Sequence, residues 1–352
     1  MHHFFFLACS ALTLTKCRLP GVRDRMARAW MAAMLAAGLA ACGGGGNDAD
    51  EHAASTLPPL PGSSLVTAVP LPDYPPDSQA RLAFDLINAE RERCGFGKVA
   101  QNKALDAAAQ DHFHYVQLNG PDGGHTQTPG KPGFTAATPN ERAQRHGYRG
   151  TAGENIGWLQ PGGRTGQVFR GVRDLFTAPY HALGLLYGFR EVGIAAVTPQ
   201  PLGRTEPLVV AVGWPDGVFH QAVKDLSTYP CEGTSGVQPV STGERPSPFP
   251  SEPTARWGQP IILMGRTDWP GGDVHVTQVA ITGPNGSVAL KALYGEGNTR
   301  DPNGFCKGPY TCVIPEPLQP TTRYQVALAG THLGQRFTRS FSFTTGAAGA
   351  GN

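Results

Sequence analysis

Charge is what this sequence has little of. Only 16% of its 352 residues are charged, and 29 Lys and Arg set against 27 Asp and Glu leave a net charge of +2. So weak a field steers the chain neither to nucleic acid nor to an anionic membrane. No basic patch interleaved with aromatics makes up for it, so nucleic acid is set aside as a partner. A Gly-x-Ser-x-Gly turn is also missing, and with it the usual setting for an exposed serine nucleophile. Cysteines at C-x-x-C spacing are absent, which argues against a four-cysteine zinc site. Asp301-Pro302-Asn303-Gly304 lacks the acidic spacing of an EF-hand loop and reads as a turn. Neither half of the chain carries a fixed-period repeat.

What is present is a loop-rich body. Forty per cent hydrophobic content suffices for a buried core, and 46 Gly with 32 Pro fill turns and linkers. The length leaves room for two or three domains. Near the N-terminus, Arg23, Arg25 and Arg28 precede an apolar run from Ala29 to Ala41 that is too short to span a bilayer. Residues 1–41 therefore read as an export signal, with Met26 as an alternative start because Phe4 to Leu14 has no Lys or Arg ahead of it. Leu39-Ala40-Ala41-Cys42 resembles a bacterial lipobox, which implies a lipidated Cys42 and an anchor in the cell envelope. Gly43 after that cysteine fits the outer membrane by analogy; the alternative is ordinary cleavage near Ala41 and secretion. Residues 42–76 then form a tether.

Four cysteines remain beyond Cys42, an even number suited to an oxidising compartment. Cys306 and Cys312 are close enough to pair across a small loop, which leaves Cys94 to pair with Cys231. The second bridge closes a long loop and is expected to add about 3 to 5 kcal/mol.

Helical signals dominate residues 77–232. Asp77 or Ser78 can cap a helix that carries Leu82, Leu86 and Ala89 and ends at Gly95. Asn102 caps a second, whose stripe of Leu105, Ala108, Ala109, His112 and Val116 makes His112 a core or supporting residue. Thr138-Pro139-Asn140-Glu141 combines a capping box with Pro at the first helical position. A helix over 165–177 and a short one opened by Pro179 precede apolar strands at 191–198 and 207–214. Residues 233–253 turn to Ser, Pro, Gly and Thr and read as a linker. Residues 254–345 read as strands only, with a hairpin turn at Pro284-Asn285-Gly286, and 346–352 as a disordered tail.

Two histidines and a carboxylate stand apart from these patterns. His125 follows Gly124, Glu154 lies between Gly153 and Asn155, and His181 follows Pro179-Tyr180. Each sits where the chain is expected to turn, and together they offer a metal site, a proton-transfer pair or an anchor for a polar ligand head. The bland alternative is a hydrogen-bonded cluster that ties three loops together.

The ordered series of islands resembles the CAP/SCP superfamily in its bacterial secreted form. It runs from Asn88-Ala89-Glu90-Arg91 through Leu105 to Gln110, Glu141-Arg142-Ala143 with Gly147-Tyr148, and Glu191-Val192-Gly193-Ile194-Ala195, over residues 78–214. The resemblance implies an α+β chain whose first domain is an α-β-α sandwich. Leu318-x-Pro320-x-Thr322-x-Tyr324-x-Val326 resembles the tyrosine-corner region of fibronectin III and bacterial Ig-like modules, implying an all-β sandwich after it.

The chain departs from the family at Tyr180, usually Gly, and at Ala182, often basic. A second acidic residue expected just before the last histidine falls on Thr177 or Ala178, with Asp174 one turn earlier. Losing that carboxylate removes the obvious base for water activation. The expectation is a monomeric, non-enzymatic envelope lipoprotein that binds a small apolar or amphipathic ligand, or a peptide, between His125, Glu154 and His181. One alternative is a hydrolase with Zn held by His125 and His181, where Glu154 either completes the shell or fixes an imidazole tautomer. The other is a structural or host-interaction protein with a vestigial cleft.

Overall fold

The computed structural model describes residues 65–121, 123–160, 166–197, 204–215, 220–266 and 273–347, together with the backbone of 2–5. Cys42, the rest of the expected export signal, residues 43–64 and residues 348–352 lie outside that description. In chain order the first elements are β1 (His2–Phe5), α1 (Gln79–Arg93), β2 (Ala100–Gln101), α2 (Lys103–Asn119), α3 (Pro139–Arg145), β3 (Thr151–Leu159), α4 (Gly166–Thr177) and α5 (Pro179–Leu186). Strands follow: β4 (Glu191–Ala196), β5 (Glu206–Trp214), β6 (Leu226–Tyr229), β7 (Thr234–Val237), β8 (Glu244–Arg245) and β9 (Ile261–Gly265). The last are β10 (Val274–Gly283), β11 (Gly286–Ser287), β12 (Leu290–Tyr294), β13 (Tyr310–Pro315), β14 (Arg323–His332) and β15 (Gln335–Thr345). The chain is thus mixed α and β, with five helices and three multi-stranded sheets among the described residues. No helix among these residues is long and apolar enough to cross a membrane.

Local chemistry starts the helices. Ser78 accepts the Arg81 N–H at the head of α1, and Asn102 accepts the N–H groups of Ala104 and Leu105 at the head of α2. Thr138 and Glu141 close a capping box on α3. Helix α5 differs, because its N-cap is Ala178, which has no side-chain acceptor.

The first sheet runs β2-β4-β5-β3-β1-β8. Helices cover both of its faces, and β5 records this by alternation. Leu208, Val210 and Val212 join α1, α4 and α5 in one core, whereas Val209 and Ala211 join α2 and α3 in another. Gly193 on β4 lets α2 come close: a Cβ there would lie 2.0 Å from the Leu105 carbonyl carbon and 2.1 Å from the Asp106 nitrogen. Both contacts are helix backbone, which cannot swing aside. Gly193→Ala is expected to cost more than about 3 kcal/mol in chemical denaturation.

The other two sheets, β11-β10-β14-β15-β7 and β12-β13-β9-β6, face one another across a core that includes Leu226, Ile261, Leu263, Val274, Val326 and Phe343. Between them, β9 and β13 are covered on both faces. Ile262, Met264, Cys312 and Ile314 point the other way, into the core built by α1, α4 and α5. Described residues before and after the expected linker therefore share one compact unit.

Residues 233–253 do not run as a free linker. They supply β7 to β15 and β8 to β1, and Val237, Gln238 and Glu244 are buried. β6 lies before residue 232 yet pairs with β9, so the sheets knit across the expected boundary. Both expected disulfides are present, Cys94–Cys231 and Cys306–Cys312. Gly346 is hydrogen-bonded to Thr321 and Val237, so order extends into the expected tail.

Candidate functional site

Glu154 lies inside strand β3 rather than in a loop, between Gly153 paired with Val212 and Asn155 paired with Val210. Its side chain is 2% exposed and collects cations and donors. Arg142, reaching from α3, donates from Nη2 to Glu154 Oε1 at 2.8 Å and to the His125 carbonyl at 3.0 Å. His125 Nδ1 stands 3.0 Å from the same carboxylate oxygen. The His125 turn is set by Gly124, whose φ of 56° is left-handed and suits glycine. Burial pushes the Glu154 carboxyl up, but Arg142, with the hydrogen bond from His125, more than offsets this and holds it well below the usual carboxylate range. Glu154 is therefore an anion and His125 Nδ1 the donor to it.

His112 is the supporting residue of this group. Its Nε2 donates to the Gly124 carbonyl at 2.9 Å, which fixes the tautomer and also fixes the turn that carries His125. Burial lowers its pKa to about 4 despite the nearby Glu154 carboxylate, so the ring is neutral.

His181 sits in the first turn of α5 and is fully buried. Its carboxylate partner is not Glu154 but Glu244, from β8: Nδ1 to Oε1 is 3.1 Å. Glu244 Oε1 also accepts the backbone N–H groups of Tyr180 at 2.7 Å and His181 at 3.0 Å. It thus supplies from a distance the helix cap that Ala178 cannot. Arg91, on α1, donates to the carbonyls of Leu185 and Tyr187 at the other end of α5. The short helix is clamped at both ends, and His181 with it. Burial drives the Glu244 carboxyl well above the usual range, with Asp301 adding to the effect and the two helix N–H groups opposing it.

Tyr180, where the resemblance leads one to expect glycine, docks the second half of the molecule. Its ring packs on Phe305 with centroids 4.7 Å apart, and its hydroxyl donates to Asp301 Oδ1 at 2.5 Å. Asp301 also accepts the N–H groups of Asn303, Phe305 and Cys306, so this loop is a side-chain-stabilised turn beside the Cys306–Cys312 bridge.

The three residues singled out in the sequence thus fall into two histidine–carboxylate pairs. His125, on its turn, meets Glu154 of β3; His181 of α5 pairs with Glu244 of β8; strand β1 lies between the two strands. All four side chains are buried, not lining an open cleft. In each pair the carboxyl holds Nδ1, an arrangement that orients imidazole Nε2 for a ligand or metal. The donor types suit zinc, yet among the described residues no three His, Cys, Asp or Glu side chains converge in a metal-holding group.

Asp174 does not reach either histidine. It accepts from Gln238 Nε2 at 2.8 Å, and burial raises its pKa to about 7, against the opposing pull of Gln238 and Arg170. A folded pKa above the unfolded value means that folding takes up a proton, so stability declines as pH rises from about 4 to 7. Asp174→Asn is expected to flatten that slope and, for this half-buried group, to stabilise by about 2 to 3 kcal/mol above pH 7 in urea titrations.

Comparison with protein-family models and with curated proteins gives no match to this chain.

Proposed function

We propose that this chain is a cell-envelope lipoprotein, anchored through Cys42, whose first half is a CAP/SCP-type domain that binds a small amphipathic ligand or peptide without chemistry. The second half is an Ig-like sandwich. Supporting the first assignment are helices on both faces of a sheet, with the resembling islands on α1, α2, α3 and β4. For the second, Tyr324 Oη accepts the Gln319 N–H at 2.7 Å, five residues upstream, as in a tyrosine corner. The sandwich buttresses α5 in addition to any role as a spacer, since its sheet completes the core around that helix.

The observation that carries the binding reading is the duplicated His–carboxyl pair. Two imidazoles are oriented through Nδ1 on the two sides of one strand, and the two carboxyls are shifted in opposite directions. Such a pair of oriented imidazoles, one beside a buried anion, suits a polar head on an apolar body. Native mass spectrometry after incubation with a bacterial polar-lipid extract should show an adduct on the full chain that His125→Ala and His181→Ala lose. A clean unliganded mass for the unaltered chain contradicts lipid binding.

One observation favours a metal-dependent hydrolase as the second reading. Glu244 supplies at His181 the carboxyl that the sequence lacks at 177 and 178. Elemental analysis decides: about one zinc per chain, lost in His125→Ala and His181→Ala, supports it, and zinc-free protein removes it. The anchor is tested by metabolic labelling with a fatty acid, which should mark the unaltered chain and not Cys42→Ser.

A further inference from the structure

The two disulfides stand in unlike surroundings. Cys306 and Cys312 are 2% and 0% exposed, closed within the core that α5 shares. In the other bridge Cys94 is 5% exposed, but Cys231 is only half-buried and gives solvent a way to the sulfur.

Donors gather at that accessible sulfur. Arg93, in the last turn of α1 with a side chain 33% exposed, brings Nη1 to 3.6 Å from Cys231 Sγ. Thr234 Oγ1 lies 3.7 Å from the same sulfur. From α4, Arg173 donates to the Gly236 carbonyl at 3.4 Å and adds a second cation to this region. The acidic groups nearby are engaged: Glu90 pairs with Arg93 Nη2, and Glu232 accepts the Ser342 N–H and hydroxyl, each at 2.8 Å. A guanidinium and a hydroxyl beside a sulfur stabilise it as a thiolate, the species that attacks and leaves in disulfide exchange.

We infer that Cys94–Cys231 is an exchangeable bridge, opened by a dithiol on a partner molecule, and that Arg93 promotes the exchange. One thiolate of the partner attacks Cys231 Sγ. A new S–S bond forms there, and the old one breaks with its electron pair on Cys94. The partner's second thiolate then attacks the partner sulfur of this mixed disulfide and expels Cys231 as a thiolate held by Arg93 and Thr234. The partner ends as a disulfide and this chain as two cysteines; two electrons have passed, and the two protons given up by the partner's thiols balance the two cysteines. Cys231 begins the run that leads through β7 to Gln238 and Glu244, so exchange unties from α1 the segment that holds Asp174 and caps α5. None of this depends on a ligand at the two histidines.

Dithiothreitol serves as the test dithiol. The oxidised full chain is exposed to it without denaturant, sampled over time, alkylated and digested, and mass spectrometry follows each bridge. Cys94–Cys231 should open at least about tenfold faster than Cys306–Cys312. Arg93→Met should slow that opening by about tenfold, and Arg93→Lys by less, since an ammonium keeps the charge. The direction separates this role from a structural one, because a loosened fold speeds the opening of both bridges. Equal rates for the two bridges in the unaltered chain, or opening of Cys94–Cys231 in Arg93→Met as fast as in the unaltered chain, overturns the proposal.

Discussion

Arg142→Met is expected to destabilise the protein by about 3 to 5 kcal/mol in equilibrium denaturation, among the largest effects of any single change outside the disulfides. The guanidinium is fully buried and donates to Glu154, to the His125 carbonyl and to the carbonyls of Ala136 and Ala137. Methionine fills most of the volume and leaves an anion in the core with only imidazoles to answer it. Glu154 has a depressed pKa in the fold, so its contribution is present above the ordinary glutamate range and declines as pH falls below that range. Without Arg142 the burial penalty dominates, the carboxyl rises, and the variant should lose stability as pH increases toward neutral. Adding Glu154→Gln to Arg142→Met should restore part of the loss, since the uncompensated charge is gone. Arg142→Lys should not rescue it, because an ammonium cannot span four carbonyl and carboxylate oxygens from one fork.

The second large effect separates two things that Glu244 does. Glu244→Ala removes the acceptor for two helix N–H groups and the partner of His181 Nδ1, all buried, and is expected to cost about 2 to 4 kcal/mol. Glu244→Gln keeps an acceptor of the same shape. Because burial raises the pKa of the native carboxyl above its unfolded value, folding favours its protonated form. Stability from this group is therefore greatest at low pH and falls as pH rises past the unfolded glutamate pKa. The amide has no such dependence, so Glu244→Gln should match or exceed the native chain above pH 7 and show a shallower pH profile. Urea titrations at pH 5 and 8 on all three proteins check both statements.

Elements with a local cause were legible in the sequence. Ser78, Asn102 and the Thr138–Glu141 box start helices because each places an acceptor over free N–H groups, and that needs no tertiary context. Pro179 likewise opens α5 where the sequence indicates. Strand β3 was not legible. Gly153, Glu154, Asn155 and Gly157 have low strand preference, and the segment extends because β5 pairs with it residue by residue over its whole length.

Glu244 was the residue most completely missed. It stands 63 residues from His181, in a run of Pro and Ser that looks like linker, and the only signal there was a charged Glu244-Arg245 pair in a stretch otherwise poor in charge. The departure at Tyr180 was visible but had no reason until Asp301 and Phe305 supplied one. Both misses have one cause: sheets that knit the two halves of the chain place side chains from the second half against the first.

The central claim is that the two histidine–carboxyl pairs serve one ligand across the strand between them. Long-range 15N–1H spectra of the imidazoles, recorded while the full chain is titrated with the bacterial polar-lipid extract, test it most directly. The account predicts that the His125 and His181 resonances move together, with one apparent affinity. Resonances that stay fixed, or that respond at unrelated concentrations, would contradict it.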